Sequence, residues 1–576
     1  MKNLKIFIVP VLFAAVYSLS AQEAGKAIHQ AMEQEISRNM KNLHLAGMKD
    51  PFYIGLNVVD VNMLAINSSM GALIRITENP NRYTFNNEVL VGDYNSNNLN
   101  YTDPRAATYY LRTAGSLPLD NLVSEIQRKL WLSFDRAYKL SAEIYESKQS
   151  ALKSSTQTDD VAGLADFEPG EKILVEKPEI SLKFSNESLI KYANEISLAL
   201  KPYKFLSNSW VKITGFKANI YYSNSEGSKA TYPSSYLRLV INIETYALNG
   251  ELMESYKTWH FLNETDLPAK ETVIRDAQAM AEELNELKGA PVFDDVYIGP
   301  VLFEGQAASE AVRKTMFYAK NENLLAYRKP VMGTPAGAQS SQAKTPLDDR
   351  IDKKISNEDL NVIARPGLTE YNGIHLIGSY PVDMDGTIPP QEVVLIENGI
   401  LKNLLCGRIP TARMKVSNGH LRIPFDMPNP LIVPGVIEVG YNNSLSKEDL
   451  KKKLLEMAQG EGFDYAMIIR EMTPNQSELR RVYKVDVKTG KEQLVKSAGF
   501  KGLILNDLRK IIGASNQKIV MNTTAGEDLQ HKFDYIPGCP ATFITPDAFL
   551  FKDIEISKST KAVLTKPPVV KNPLEL

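Results

Sequence analysis

The sequence predicts an α+β protein, with an N-terminal sheet-and-helix domain over residues 22–295 and a β-rich C-terminal domain over 296–576. Three observations predict it. Up to about residue 295, segments with apolar residues at helical spacing alternate with segments of strand character. From Val331 to Ala343 the composition shifts to Pro, Gly, Ser and Gln, the mark of a solvent-exposed loop, drawn here as 331–348. Beyond it nearly every segment reads as strand, interrupted by two short helical stretches.

In chain order, a helix is predicted over 22–48, with Ala24, Ile28, Met32 and Ile36 on one face. Residues 51–116 have strand character, as in 53–59 and 72–76, separated by Asn, Ser and Gly turns. A long helix follows from about Asp120 to Lys153, where Val123, Ile126, Leu130, Phe134, Ala137 and Tyr138 keep i, i+3, i+4 spacing. The polar, acidic stretch 154–170 reads as a loop or hinge. A helix from Asn186 to Leu200 stops before Pro202. Two alternating strands, Trp210 to Ser223 and Tyr236 to Leu248, flank a turn at Asn224-Ser225-Glu226-Gly227. A helix over about 267–288 has Pro268 in its first turn and Gly289 just past its end. In the C-terminal domain, Ser446 and Asp449 form a capping box for a helix over 447–458, with Gly460 as its stop. A short turn is expected at 507–512. Val482 to Val487 and Glu492 to Lys496 make a hairpin around Thr489-Gly490.

The first residues predict export. Lys2 and Lys5 precede an almost wholly apolar run from Ile6 to Leu19, and the small residues Ser18, Ser20 and Ala21 close it. That is the plan of a secretory signal peptide over 1–21, cleaved near Ala21 to leave a periplasmic or extracellular protein. Pro10 within the run and the abrupt Gln22-Glu23 argue against a buried N-terminal helix. No later stretch is long and apolar enough to span a membrane. The formal net charge of −2 gives no basic surface for nucleic acid or an anionic bilayer.

No familiar metal or nucleophile motif is present. The six histidines, His29, His44, His260, His375, His420 and His531, include no pair at four- or five-residue spacing. There is no H-E-x-x-H, C-x-x-C, P-loop or G-x-S-x-G. The two cysteines, Cys406 and Cys539, would be free to pair in an exported protein, but Cys406 follows Leu404-Leu405, a setting typical of a small core residue. The same apolar setting argues against a low thiol pKa and so against a Cys406/His420 nucleophilic pair.

The segment from Tyr297 to Glu310 passes from an apolar strand into a helix start rich in small residues. Asp383-Met384-Asp385-Gly386 precedes Glu397-Asn398-Gly399-Ile400-Leu401. Ser417-Asn418-Gly419-His420-Leu421-Arg422 follows. In this order, and with Asn224-Ser225-Glu226-Gly227 upstream, they resemble the TldD/PmbA family, the modulators of DNA gyrase, over about 205–557. That family's catalytic branch has H-E-x-x-x-H where the strand meets the helix, and a Cys in a late C-G-x-x-G-Q-like loop. Here the two His positions hold Phe303 and Ala308, and Glu304 alone survives between them. The late loop matches Ala525-Gly526-Glu527-Asp528-Leu529-Gln530, with Ala525 at the ligand position. Phe and Ala have no lone pair to offer a metal.

The resemblance therefore implies a family member without the zinc of the active branch, and no cofactor is predicted. It also implies peptide substrates and oligomers formed with itself or with a homologue. On this reading the chain is a non-catalytic partner subunit, and Glu304 is a vestigial carboxylate at a helix start. Two other readings stay open: a peptidase using Glu304, His420, Asp383 and Asp385 or a metal bound elsewhere, and an envelope protein that binds peptides or glycans.

Overall fold

The computed structural model describes residues 8–102, 115–154, 163–247, 250–318, 322–328, 331–332, 347–425, 429–473, 478–526, 538–559, 570 and 573, with backbone alone for 8–23, 86 and 331–332. Most of the exposed-loop segment 331–348, part of the 154–170 hinge, and His531 lie outside the described residues.

Helix α1 (Ile8–Asn42) runs unbroken from Ile8, within the expected export segment, through most of the first predicted helix, and Pro10 lies inside it. The helix ends earlier than the predicted residue 48. The Asn42 side-chain amide donates to the Arg38 carbonyl at 2.7 Å, and the chain then turns at Gly47 with φ 82.

The N-terminal sheet is built on long strands. β1 (Pro51–Ser69) turns through Met70 and Gly71, both with positive φ, into β2 (Ala72–Val91). Two left-handed residues in a row match the twist of the flanking strands. β3 (Asn208–Asn224) pairs with β1 in a register that places Ile66 opposite Ile213. β4 (Lys229–Tyr246) and β5 (Leu252–Phe261) follow as antiparallel neighbours. Period-two alternation gives the sheet two apolar faces. Ile54, Leu56 and Val58 of β1 pack against α1 and α2 (Val123–Ser154). On the same face, Leu64, Ile66, Ile213 and Leu239 meet α3 (Asn186–Leu198) and α4 (Lys270–Gly289). The opposite face, with Val59, Val61, Phe216 and Ile220, packs against Ile377, Met384, Ile423 and Phe425 of the C-terminal domain.

α4 begins later than predicted. Pro268 holds the residue before it, Leu267, extended at ψ 133, so the helix starts only after Ala269. Gly289 and Gly460 are the last residues of their helices rather than the stops beyond them.

Among the described residues, the C-terminal domain has two large sheets and two small two-stranded ones. One places β7 (Leu360–Ala364) between β8 (Val393–Glu397) and β9 (Val436–Tyr441), and continues to β14 (Cys539–Pro546) and β13 (Lys518–Ala525). The other centres on β6 (Tyr297–Glu304), flanked by β10 (Tyr465–Met472) and β15 (Ala548–Lys558). β11 (Leu479–Asp486) and β12 (Glu492–Val495) form the predicted hairpin at its edge. Helix α5 (Gln306–Phe317) lies in the same core as both sheets and is buried along almost its whole length. α6 (Lys447–Gly460) covers the other face of the second sheet through Leu450, Leu454 and Ala458.

Candidate functional site

β6 alternates its side chains between two cores. Leu302 faces α6, while Val301 and Phe303 face the core shared with α5. Gly305 then turns the chain from strand into α5 at φ 59, ψ −125, a conformation open to glycine and strained for other residues. The elbow is held by the Gly305 N–H, which donates to the Asp547 carbonyl at 2.7 Å.

The three positions that the resemblance matches to zinc ligands lie in one apolar core. Phe303, Ala308 and Ala525 are each 0% exposed. The Phe303 ring packs against Phe551 at 5.3 Å and Phe500 at 6.0 Å between centroids. Ala525 ends β13 directly opposite Cys539. Gly526 and Gly538 close together behind it, so tightly that a Cβ on Gly538 would lie 2.0 Å from the Ala525 carbonyl oxygen. Residues 527–530 of the matched loop lie outside the described residues. The side chains present do not fit a zinc, which takes N, S or O ligands at about 2.0–2.3 Å. Among the described residues, no three His, Cys, Asp or Glu side chains are grouped to hold a metal.

Glu304 points away from that core. Its carboxylate accepts from Arg470 Nε at 2.7 Å, and Arg470 also pairs with Glu492 at 2.9 Å, which pairs with Lys451 at 2.7 Å. The Arg470 guanidinium lies 4.6 Å over the Tyr483 ring. One oxygen of the Glu304 carboxylate is thus held by a cation.

Three of the other motifs, at 224–227, 383–386 and 417–422, gather at the seam between the two domains. Asp383 is buried, and its Oδ1 accepts from the Asp385 N–H at 3.0 Å and the Thr387 N–H at 2.8 Å. Its Oδ2 accepts from the Leu421 N–H at 3.3 Å, tying this turn to the one containing His420. Burial, then the Asp385 carboxylate, push the Asp383 carboxyl well above the usual range. Asp385 is reached from the N-terminal sheet, where Tyr222 Oη donates to its carbonyl at 2.8 Å. Gly386 allows that approach, since a Cβ there would lie 2.3 Å from the Tyr222 ring. Asn224 supports the same corner, donating to Tyr222 Oη at 3.0 Å and to Glu226 Oε2 at 2.9 Å. Asn398 and Gly399, both at positive φ, form the two-residue hairpin turn of the Glu397–Leu401 motif.

His420 is 0% exposed, and burial holds its imidazole neutral, with its pKa lowered to about 3. Nδ1 lies 2.8 Å from the Asn418 carbonyl oxygen, and Nε2 has no hydrogen-bond partner among the described residues. The His420 N–H donates to the Cys406 carbonyl at 3.1 Å, so the two residues are backbone neighbours. Their side chains are not a nucleophile and base. The Cys406 thiol donates to the Val416 carbonyl at 3.3 Å, and burial pushes its pKa up to about 12. Cys406 and Cys539 are both buried and are not joined in a disulfide.

Arg408, which the sequence did not single out, holds the seam together. Its Nη1 and Nη2 donate to Glu226 Oε2 and Oε1 at 2.9 and 2.6 Å, and its Nε donates to the Glu168 carbonyl at 2.9 Å. The guanidinium also lies 4.2 Å over Phe167. A single Arg three residues past an apolar run gives no sequence signal for this role. Glu88 and Tyr53 complete the cluster, and burial together with Asp385 raises the Glu88 carboxyl.

Beside this seam runs a cleft of about 310 Å³. Tyr232 and Ser234 line it from β4, and Tyr380, Asp383, Arg422 and Phe425 line it from the C-terminal domain.

Residues 300–557 match the model of the PmbA/TldA metallopeptidase C-terminal domain. No curated protein sequence matches the chain. Among solved structures, a putative modulator of a DNA gyrase from Thermotoga maritima is similar at TM-score 0.57 and 14% identity, covering 92% of this chain and 100% of that one. TldE from Thermococcus kodakarensis is similar at TM-score 0.52 and 14% identity, with the same coverage. A putative modulator of DNA gyrase from Bacteroides thetaiotaomicron is similar at 0.53 and 10% identity, covering 92% and 98%. At these identities the structures establish the shared fold. With that fold, and with residues 300–557 matched, the chain carries the C-terminal domain of the TldD/PmbA family.

Proposed function

We propose that this chain is an exported, zinc-less subunit that acts in peptide or protein processing as a non-catalytic partner of itself or of a zinc-bearing homologue. One observation carries the reading. The positions that would ligate zinc hold Phe303, Ala308 and Ala525 inside a dry core, while the remaining Glu304 is paired with Arg470. Without a metal nothing there lowers the pKa of a water or polarises a peptide carbonyl. The rival peptidase built from Asp383, Asp385 and His420 meets a geometric objection. Both Asp383 oxygens accept backbone N–H groups, and all three residues are buried among their own partners.

The test uses protein recovered from the cell envelope. Its N-terminal sequence should begin near Gln22. Light scattering, with and without a co-expressed homologue carrying an intact H-E-x-x-x-H, should show assembly. A strict monomer indifferent to that homologue contradicts the partner role, and an intact Met1 on cytosolic protein contradicts export.

A further inference from the structure

At the cleft beside the domain seam, two side chains keep polar groups with no partner among the described residues. Arg422 spends Nη1 on two carbonyls, Pro540 at 2.7 Å and Pro434 at 3.2 Å. Its guanidinium is braced 4.4 Å over the Tyr380 ring. Its other edge, Nε and Nη2, has no hydrogen-bond partner or carboxylate among the described residues. That edge presents two parallel N–H groups, the fork that matches a carboxylate. Tyr232, across the cleft on β4, is 6% exposed, and its hydroxyl likewise has no partner among the described residues. Tyr380 does not compete for a ligand, because its hydroxyl donates to the Gly419 carbonyl at 2.7 Å.

We propose that this cleft receives the C-terminal carboxylate of a peptide, held by the Arg422 fork and the Tyr232 hydroxyl. Charge favours a carboxylate over a phosphate. Arg422 is the one cationic side chain lining the cleft among the described residues, and it balances one negative charge rather than two. The remaining wall includes Ile220, Ile377 and Phe425, which suit an apolar C-terminal side chain. The cleft's size, about 310 Å³, is at the small end of ligand sites and admits a terminal residue or two rather than a long segment. Its place is also suggestive: Pro540, on the cleft wall, neighbours Cys539, which pairs with Ala525 at the family's third ligand position. The carboxylate rests on the cleft itself, whereas the peptide rests on the processing role proposed above.

Calorimetric titration of the full-length protein would separate the two. The probes are tripeptides ending in Ala, Leu or Phe, each as free acid and as C-terminal amide, together with sodium acetate. The free acids ending in Leu or Phe should bind, and their amides should bind at least tenfold more weakly. Tyr232→Phe, which leaves the fold's hydrogen bonds untouched, should weaken the acids about tenfold and leave the amides unchanged. Arg422→Gln should abolish acid binding, although it also loosens the Pro434 and Pro540 carbonyls, so the Tyr232 variant carries the decision. Equal binding of acid and amide, no binding by any tripeptide, or an unaffected Tyr232→Phe would overturn the proposal. Saturable binding of acetate with none of the peptides would overturn the peptide and leave a small-acid site.

Discussion

A benzyl group and an imidazole at position 303 place opposite demands on the surrounding protein. An imidazole there needs a metal or a hydrogen-bond partner, whereas the Phe303 ring needs only apolar neighbours, which Phe500, Phe551 and the α5 alanines supply. Phe303 is thus a core residue in its own right. Phe303→Ala should lower the unfolding free energy by about 3–5 kcal/mol, read from denaturant midpoints at constant m-value. A loss under about 1 kcal/mol would mean that the core is loose there and that the position can accommodate other side chains.

The buried histidines make a second claim at this scale. His29, His260 and His420 have their pKa values lowered from 6.5 to about 3, in each case first by burial. Each folded-state pKa lies below its unfolded value, so between those values the unfolded chain binds more protons. Their contribution to stability is complete above about pH 6.5 and is lost as pH falls from there toward 3, at up to about 1.4 kcal/mol per pH unit for each group. The raised Asp383 and Glu88 carboxyls act on stability in the opposite sense, so the rings are followed directly by NMR titration of the folded protein, where their shifts should stay constant from pH 7 to pH 5. A ring that titrates near pH 6.5 would contradict its neutral state.

At the scale of elements, the ends of α6 follow local rules. Ser446 Oγ accepts from the Asp449 N–H at 3.1 Å and donates to Asp449 Oδ2 at 2.7 Å. Ser446→Ala should cost about 1 kcal/mol in equilibrium unfolding. No measurable change would show that tertiary contacts through Leu450 and Leu454 alone fix the helix. This cap, the Val482–Val495 hairpin and the helical stripe of Ile126, Leu130 and Phe134 were legible in the sequence, because each is written in residues close along the chain. Less legible was the length of β1 and β2. Their Asn- and Thr-rich stretch over 77–87 reads as turns, yet it is held in strand by pairing with β1 across the whole hairpin. β5 was missed for a similar reason: Trp259, His260 and Phe261 are fixed by their register against β4 rather than by local pattern. The strand-to-helix passage at Gly305 and the three apolar ligand positions were readable from motif order. The Arg408–Glu226 clamp and the Arg422–Tyr232 cleft were not, since their partners are far apart in sequence and meet only when the domains pack.

For the whole molecule, the N-terminal sheet spends one face on four helices and the other on the C-terminal domain, with the Arg408 clamp and the buried acids at the joint. This arrangement has the fold shared with the similar structures, and Phe303, Ala308 and Ala525, the positions matched to the zinc ligands, lie in a packed core. The central claim is that this frame no longer carries a zinc. It is tested most directly by metal analysis of the purified wild-type protein, paired with a peptidase assay before and after chelation. The account predicts far less than one zinc per chain and no chelator-sensitive hydrolysis, because a catalytic zinc needs about three protein ligands and Phe303, Ala308 and Ala525 supply none. About one zinc per chain, with a peptidase activity that a chelator abolishes, would contradict it.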